Sequence, residues 1–331
     1  MLDALVPWLE ELGAEVELMP VQPGRTNVLA LFGEPRVVFT THLDTVPPYF
    51  PPRLEPGRIV GRGTCDAKGQ IVAQLAAIEA CLAAPGSPGS RGGFGWLGLV
   101  GEESDAAGAH AAAGWRDRLA PCRLLVNGEP TEGRLATGQR GYVHLALACE
   151  GRSAHSGSPE RGESALWPLI DWLERVREQP LAEDAELGPE VWNLGRIEGG
   201  SAANVVPAHG RAELVARTLP NSRFRAAVEA ARPSCGTLEV LVEEAAERYP
   251  RLAGFEYAPM PFGSDLPALR RSVPDAAVAL AGCGSISVAH TVDEHLTEAE
   301  LMAGVALNRR LAEWARSSEK ASSETMERSK S

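Results

Sequence analysis

Arg36-Val37-Val38-Phe39-Thr40-Thr41-His42-Leu43-Asp44-Thr45-Val46-Pro47 is the stretch on which the reading of the fold turns. From Arg36 to Thr41 it is a compact run rich in β-branched side chains, bounded by turn residues. A proline-rich loop, Pro47 to Pro56, follows it. A short run bounded in this way reads as a buried strand. Histidine and aspartate come directly after it. In an open α/β sheet, ligand sites form outside the carboxyl ends of the strands, so His42 and Asp44 become candidate site residues.

Working outward, the same texture repeats. Upstream lie a short amphipathic helix over 2–12 and extended segments at 16–18 and 27–31. Downstream, Gly61-Arg62-Gly63-Thr64-Cys65-Asp66 leads into a helix over 67–84, with Ile71, Leu75, Ile78 and Leu82 on one face. A Gly/Pro/Ser loop from Pro85 to Gly93, a strand over 95–100, an alanine-rich helix over 106–119 and a strand over 123–126 follow. Strands alternating with helices predict an α/β domain whose mostly parallel central sheet is flanked by helices. The order then changes. Strands at 142–149, 191–197, 210–217 and 238–242, with helices at 164–178 and 222–231, give the β-α-β-β-α-β order of a ferredoxin-like α+β fold. After Pro259 the first texture returns, with a strand over 285–288 and a helix over 298–315. The expected organisation is a discontinuous domain, 1–139 and 255–316, interrupted by an inserted domain, 140–254. A Ser/Glu/Lys-rich disordered tail is expected over 317–331.

The 331 residues suffice for two cores, and a composition of 44% hydrophobic and 23% charged residues excludes collagen-like, coiled-coil and wholly disordered chains. A formal charge of -12 repels phosphate backbones and anionic lipid heads, which argues against nucleic acid and membrane partners and is compatible with cations. No apolar run reaches the ~18 residues of a membrane span. The acidic start lacks a secretory pattern, and the six cysteines contain no CxxC pair. A cytoplasmic protein with reduced thiols is expected.

Gly93-Phe94-Gly95-Trp96-Leu97-Gly98 satisfies GxGxxG, but its glycines open a strand rather than a helix, so the dinucleotide reading is set aside. There is no Walker-type loop and no GxSxG elbow. What stands out is a set of acids and imidazoles. His42 and Asp44 follow the first strand, Asp66 precedes a helix, Glu102 and Glu103 follow the 95–100 strand, Glu129 follows the 123–126 strand, and His290 follows the 285–288 strand. Singly, each has a plain alternative: Asp66 as a helix cap, Glu102-Glu103 as a solvated turn, Glu129 as a turn residue before Pro130, either histidine as a core or surface residue. Jointly they would meet at one edge of one sheet. Two imidazoles and three carboxylates suit borderline divalent ions such as zinc, cobalt or manganese, and a carboxylate between two ions can bridge them. Asp44 is spaced to accept the second ring N–H of His42.

At these residues the sequence resembles the co-catalytic zinc hydrolases that include acetylornithine deacetylase, succinyl-diaminopimelate desuccinylase, aminoacylase and glutamate carboxypeptidase. The matching stretches are Thr41–Pro47, Gly61–Gly69, Gly101–Ser104, Gly128–Thr131, Gly151–Ser156, Asn204–Pro207 and Ala289–Thr291. They run in order through nearly the whole chain. The resemblance implies two zinc ions bridged by Asp66, with His42 and Glu129 on one and Glu103 and His290 on the other. It implies Glu102 as the general base, Asp44 as the partner of His42, and a cis peptide after Asp66. The inserted segment would be a lid that also forms a homodimer, with His155 reaching the oxyanion and Asn204 and Arg217 contacting substrate.

Three features depart from the family. Its N-terminal helix and small-residue loop are absent before Met1, which points to a late start or a trimmed domain. Ala216 stands where relatives commonly carry an acid, and His295 where many carry an aromatic or aliphatic residue. The leading expectation is a dinuclear-metal amidohydrolase that removes the acyl group from an N-acyl amino acid, as acetylornithine deacetylase does. A dipeptidase or carboxypeptidase with the same site, acting on short peptides, is the enzyme alternative. A non-catalytic binding protein is the third reading, and the intact Glu102 argues against it.

Overall fold

The computed structural model describes residues 1–84 and 93–328, with side chains as far as Arg316. The chain divides into two compact units. Unit 1 comprises Met1–Ala136, Tyr249–Ala258 and Ser264–Ser331, and unit 2 comprises Thr137–Arg248 and Pro259–Gly263. The loop expected over 85–93 lies outside the described residues except for Gly93.

Unit 1 is built on a six-stranded sheet. In chain order its strands are β1 (Glu15–Gln22), β2 (Arg25–Phe32), β3 (Val37–His42), β4 (Phe94–Leu99), β5 (Leu124–Asn127) and β6 (Ala277–Leu280); across the sheet the order is β1-β2-β4-β3-β5-β6. The last four are parallel, while β1 and β2 join antiparallel at one edge. Burial explains the difference. Every residue of β3, β4 and β5 is buried, as strands covered on both faces must be, whereas β1 alternates between exposed and half-buried positions. The GxGxxG match starts at Gly93 and runs along β4, where no helix N-terminus is available to a phosphate.

Helix α1 (Leu2–Glu11) contributes Leu5 and Leu9 to the core, and α2 (Lys68–Ala83) contributes Ile71, Leu75 and Ile78. The final helix of the unit, Glu298–Arg328, adds Leu307 and Leu311. Among the described residues no helix is long and apolar enough to cross a membrane.

Three local expectations are corrected. The single helix over 106–119 is instead a short helix, Ala107–Ala111, a 3-10 turn, Ala112–Trp115, and a helical turn, Arg116–Leu119. Ala106 enters it left-handed at φ 49°, and Gly108 lies so close to the Val100 carbonyl that a Cβ would stand 2.4 Å from that oxygen. Segment 285–288 is a turn. Ser285 Oγ bonds Ser287 Oγ and the Ser287 N–H, and the Val288 N–H returns to the Ser285 carbonyl, so local hydroxyl bonds win over strand pairing. The sheet takes Ala277–Leu280 instead. The proline-rich loop contains the strand Arg53–Glu55, paired with Arg58–Val60, which in turn pairs with His295–Thr297. The backbone of 317–328 continues the last helix, and 329–331 lie outside the described residues.

Unit 2 carries a four-stranded antiparallel sheet. Its strands are β7 (Gly141–Glu150), β8 (Val191–Gly199), β9 (His209–Thr218) and β10 (Gly236–Glu244), in the order β8-β9-β7-β10. Helices α3 (Leu166–Arg177) and α4 (Phe224–Ala230) complete the β-α-β-β-α-β order. Leu145, Leu147, Ala212 and Leu214 share one cluster with Leu169, Trp172, Phe224 and Val228 from the helices. The Trp172 indole N–H donates to the Val228 carbonyl at 2.8 Å, which ties the two helices together.

Candidate metal centre

The carboxyl ends of β3, β4 and β5 deliver His42, Glu102-Glu103 and Glu129. Asp66 comes from the loop before α2 and His290 from the turn after 285–288. His42 is buried and donates through Nδ1 to the Asp44 backbone carbonyl at 3.0 Å, which leaves Nε2 facing Asp66 Oδ1 at 2.8 Å. His290, left-handed at φ 63°, places Nε2 at 3.1 Å from Asp66 Oδ2 and 3.0 Å from Glu103 Oε1. The two oxygens of Asp66 are thus divided between the two histidines.

Three sets of candidate ligand atoms each gather within 4.8 Å: His42 with Asp66 and Glu129, Asp66 with Glu103 and His290, and His42 with Glu102 and Glu103. The first two share Asp66, and each offers one imidazole nitrogen and two carboxylates, the donor set that suits a borderline divalent ion. All five expected ligands and Glu102 are therefore together in unit 1. The peptide bond between Asp66 and Ala67 is cis.

The electrostatics of the protein alone describe a site overloaded with negative charge. Burial pushes the Glu102 carboxyl up to about 7; His42 opposes the shift and Glu103, Asp66 and Asp44 add to it. Burial, then the Glu102 and Asp66 charges, raise Glu129 well above the carboxylate range, and Glu103 is raised by burial and Asp66. Burial works against an ionised Asp66, but its bonds to His290 and His42 win and hold it below the usual range. Burial also lowers His42, and the Asp66 bond and surrounding carboxylates outweigh it, raising the imidazole well above normal. Asp66 leads the causes that raise His290 to about 9. Buried carboxyls held up by one another are what a cation would relieve, so the donor set fits two metal ions on its charge as well as on its atoms.

Asp44 meets His42 chiefly through its backbone. Its carboxylate is 3.7 Å from His42 Nδ1 and instead accepts the N–H groups of Gly101 at 3.0 Å and Glu103 at 3.3 Å. The backbone carbonyl orients the imidazole; the side chain holds the turn that carries Glu102 and Glu103. Gly101 makes that turn at φ +87°, a conformation L side chains avoid.

Glu294 is a residue that motif reading did not single out. Fully buried, it pairs Oε2 with Arg62 Nη1 at 2.6 Å, and Oε1 accepts the N–H groups of Gly63, Asp66 and Cys65 at 2.9, 3.1 and 3.2 Å. It thereby fixes the loop that presents Asp66. Its only sequence signal is an acid four residues past His290, which is too common to notice.

His155, Asn204 and Arg217 lie in unit 2. His155 bridges Val205, and the Ser156 N–H donates to the Asn204 carbonyl at 3.0 Å, so the first two are neighbours; Arg217 lies on β9 with its guanidinium 4.7 Å from the Tyr142 ring centre.

Residues 38–314 match the model of peptidase family M20/M25/M40. The chain belongs to this family. Among its curated relatives, a peptidase M20 domain-containing protein of Schizosaccharomyces pombe is 31% identical over 312 residues, covering 92% of this chain and 76% of that protein. A probable carboxypeptidase of Neosartorya fischeri is 34% identical over 301 residues, covering 81% and 67%. In fold, an aminopeptidase of Bacillus cereus matches with a TM-score of 0.75 at 22% identity, covering 95% of this chain and 92% of that one. As an M20 member the protein is a metal-dependent hydrolase of linear amide bonds.

Proposed function

We propose that the protein uses two divalent metal ions, zinc in the first instance with cobalt or manganese as substitutes, to release an amino acid from the carboxyl end of a short peptide. Asp66 would be shared between the two ions, His42 and Glu129 would help hold one, and Glu103 and His290 the other. The observation that carries this reading is the division of the two Asp66 oxygens between two imidazole-carboxylate sets, with Glu102 beside both and required by neither. The carboxypeptidase assignment draws on the relative of that name.

Ions held there would supply Lewis-acid chemistry, polarising an amide carbonyl and lowering the pKa of water toward neutrality. Glu102 takes the proton from the attacking water and returns it to the nitrogen of the leaving amino acid. Asp44 keeps Glu102 on its turn, and Glu294 keeps Asp66 on its loop. His155, Asn204 and Arg217 are proposed to contact substrate, and a homodimer through unit 2 and a cytoplasmic location complete the reading.

The second reading, deacetylation of an N-acyl amino acid, is favoured by the resemblance of the motifs to acetylornithine deacetylase. Both reactions cleave an amide whose leaving amine bears a carboxylate; they differ in the acyl side. The test is turnover of the metal-loaded protein on N-blocked dipeptides, unblocked tripeptides and N-acetyl amino acids including acetylornithine. Release of the carboxyl-terminal residue from blocked dipeptides is expected. Exclusive release of acetate would replace the first reading with the second. Glu102→Gln should retain both metal ions while turnover drops by about 10²–10⁴-fold. Failure of the wild type to bind any divalent ion would remove both readings.

A further inference from the structure

Unit 2 contains a buried cation that no acid neutralises. Arg140, 7% exposed, donates through Nη1 to the Pro189 carbonyl at 2.5 Å and through Nη2 to the Pro261 carbonyl at 2.9 Å, while its Nε has no partner. Among the described residues neither Arg140 nor Arg217 has a carboxylate partner. Glu190, next to Pro189, gives its two oxygens to the N–H groups of Leu219 and Ala182 instead. Burying an unpaired guanidinium is costly, so its retention calls for an explanation.

The neighbouring geometry supplies one. Tyr142 stands opposite Arg217 in the β7–β9 register and lies beneath its guanidinium. Arg140 is two residues before Tyr142. The short segment Pro259–Gly263, which Arg140 holds by the Pro261 carbonyl, ends at Gly263, and a Cβ there would stand 2.9 Å from Arg217 Nη1. Arg217 is therefore confined between an aromatic ring and a glycine whose segment Arg140 anchors. Burial first, then the charge of Arg217, holds Arg140 below the usual arginine range, consistent with two cations in mutual range and no acid between them.

We propose that Arg140 is a positioning residue for Arg217: it clamps the Pro259–Gly263 segment that sets where the Arg217 guanidinium points, and its unneutralised charge reserves that place for the carboxylate of the substrate. This rests on the carboxypeptidase reading above. A carboxylate is the complementary partner because a guanidinium holds it through two parallel N–H bonds.

The test uses the full-length, metal-loaded protein and two substrates that differ at one group, an N-blocked dipeptide with a free carboxylate and the same dipeptide as its carboxamide. Two variants probe the device. Arg140→Lys keeps the charge and loses the two-carbonyl clamp. Gly263→Ala leaves Arg140 intact and moves only the flexible end of Arg217, so it should fold normally. Each is expected to raise KM for the carboxylate about 10-fold with kcat within about twofold, and to leave the carboxamide KM unchanged, as a lost ground-state contact requires. Equal changes for both substrates, or a lowered Tm with neither KM moved, would reduce Arg140 to a structural clamp. Calorimetric binding of N-acetylleucine against N-acetylleucinamide to wild type and Gly263→Ala is run alongside. If the wild type cleaves neither dipeptide, the carboxypeptidase reading falls. The same binding pair measured on Arg140→Lys then still decides the role of Arg140: a preference for the acid that both Arg140→Lys and Gly263→Ala abolish supports it, and no preference, or one that Arg140→Lys keeps, overturns it.

Discussion

With one oxygen on Arg62 and the other on three backbone N–H groups, Glu294 organises the loop on which the proposed metal site depends. Glu294→Ala would leave the Arg62 guanidinium buried without a counter-charge, and breaking such a pair from one side costs about 3–5 kcal/mol. Urea denaturation of the metal-free protein should show that loss; a change below about 1 kcal/mol would mean the loop is held some other way. The titrating groups give a second prediction at this scale. The Glu102 carboxyl rises from an ordinary 4.5 to about 7, so the folded state keeps a proton that the unfolded state releases, and stability falls as pH rises through that window. His290, raised from 6.5 to about 9, and His42, raised as well, stabilise fully below 6.5 and lose that contribution as pH climbs toward 9. Within this site Asp66 works the other way: its lowered carboxyl stabilises above its unfolded value and loses this in strong acid. Chelated protein should therefore have its highest Tm in the mildly acidic range and lose stability toward pH 9, while metal affinity rises with pH because acids and imidazoles must shed protons to bind. A chelated Tm that climbs steadily from pH 5 to 9 contradicts this reading.

At the scale of elements, α2 connects the strand ends through two buried amides. Gln74 donates to the Thr40 carbonyl and accepts the Trp96 indole N–H; Gln70 donates to the Cys65 and Cys283 carbonyls and accepts the Cys283 N–H. These bonds join β3, β4, the Asp66 loop and the segment after β6. Gln70→Leu fills similar volume and strands three buried backbone groups, at a cost on the order of 3 kcal/mol. Because Cys65 adjoins Asp66, metal retention on dialysis should fall with stability, whereas Gln74→Leu, which touches Thr40 and Trp96, should lower stability with less effect on metal. Both glutamines sit among apolar residues of a helix that the sequence reading recovered within a residue or two. Their role was not legible, because what they bond to is backbone distant in the chain.

At the scale of the molecule, the two units have separate hydrophobic clusters, one around Trp96, Phe39 and Leu75 and the other around Trp172, Leu145 and Leu214. All five proposed metal ligands belong to unit 1. Calorimetry should resolve two unfolding transitions, and added zinc should raise the one assigned to unit 1 and leave the other in place, since a ligand stabilises only the folded state that binds it. A single transition that shifts as a whole would show that the units unfold together.

The sequence by itself determined the alternation of strands and helices, the ferredoxin-like order of the second unit, and the acids and imidazoles that follow β3, β4 and β5. Those signals are local: periodicity, turn residues and residue type at the end of an apolar run. It misplaced the last strand because Ser285–Val288 alternates like a strand while the largely buried Ala277–Leu280 does not. Only the tertiary structure decided that the Asp44 backbone, not its carboxylate, orients His42, that Glu294 holds the Asp66 loop, and that Arg140 anchors the segment beside Arg217. Each of these depends on distances between residues remote in the chain, or on which atom of a residue faces which neighbour, and spacing in the sequence does not carry that information.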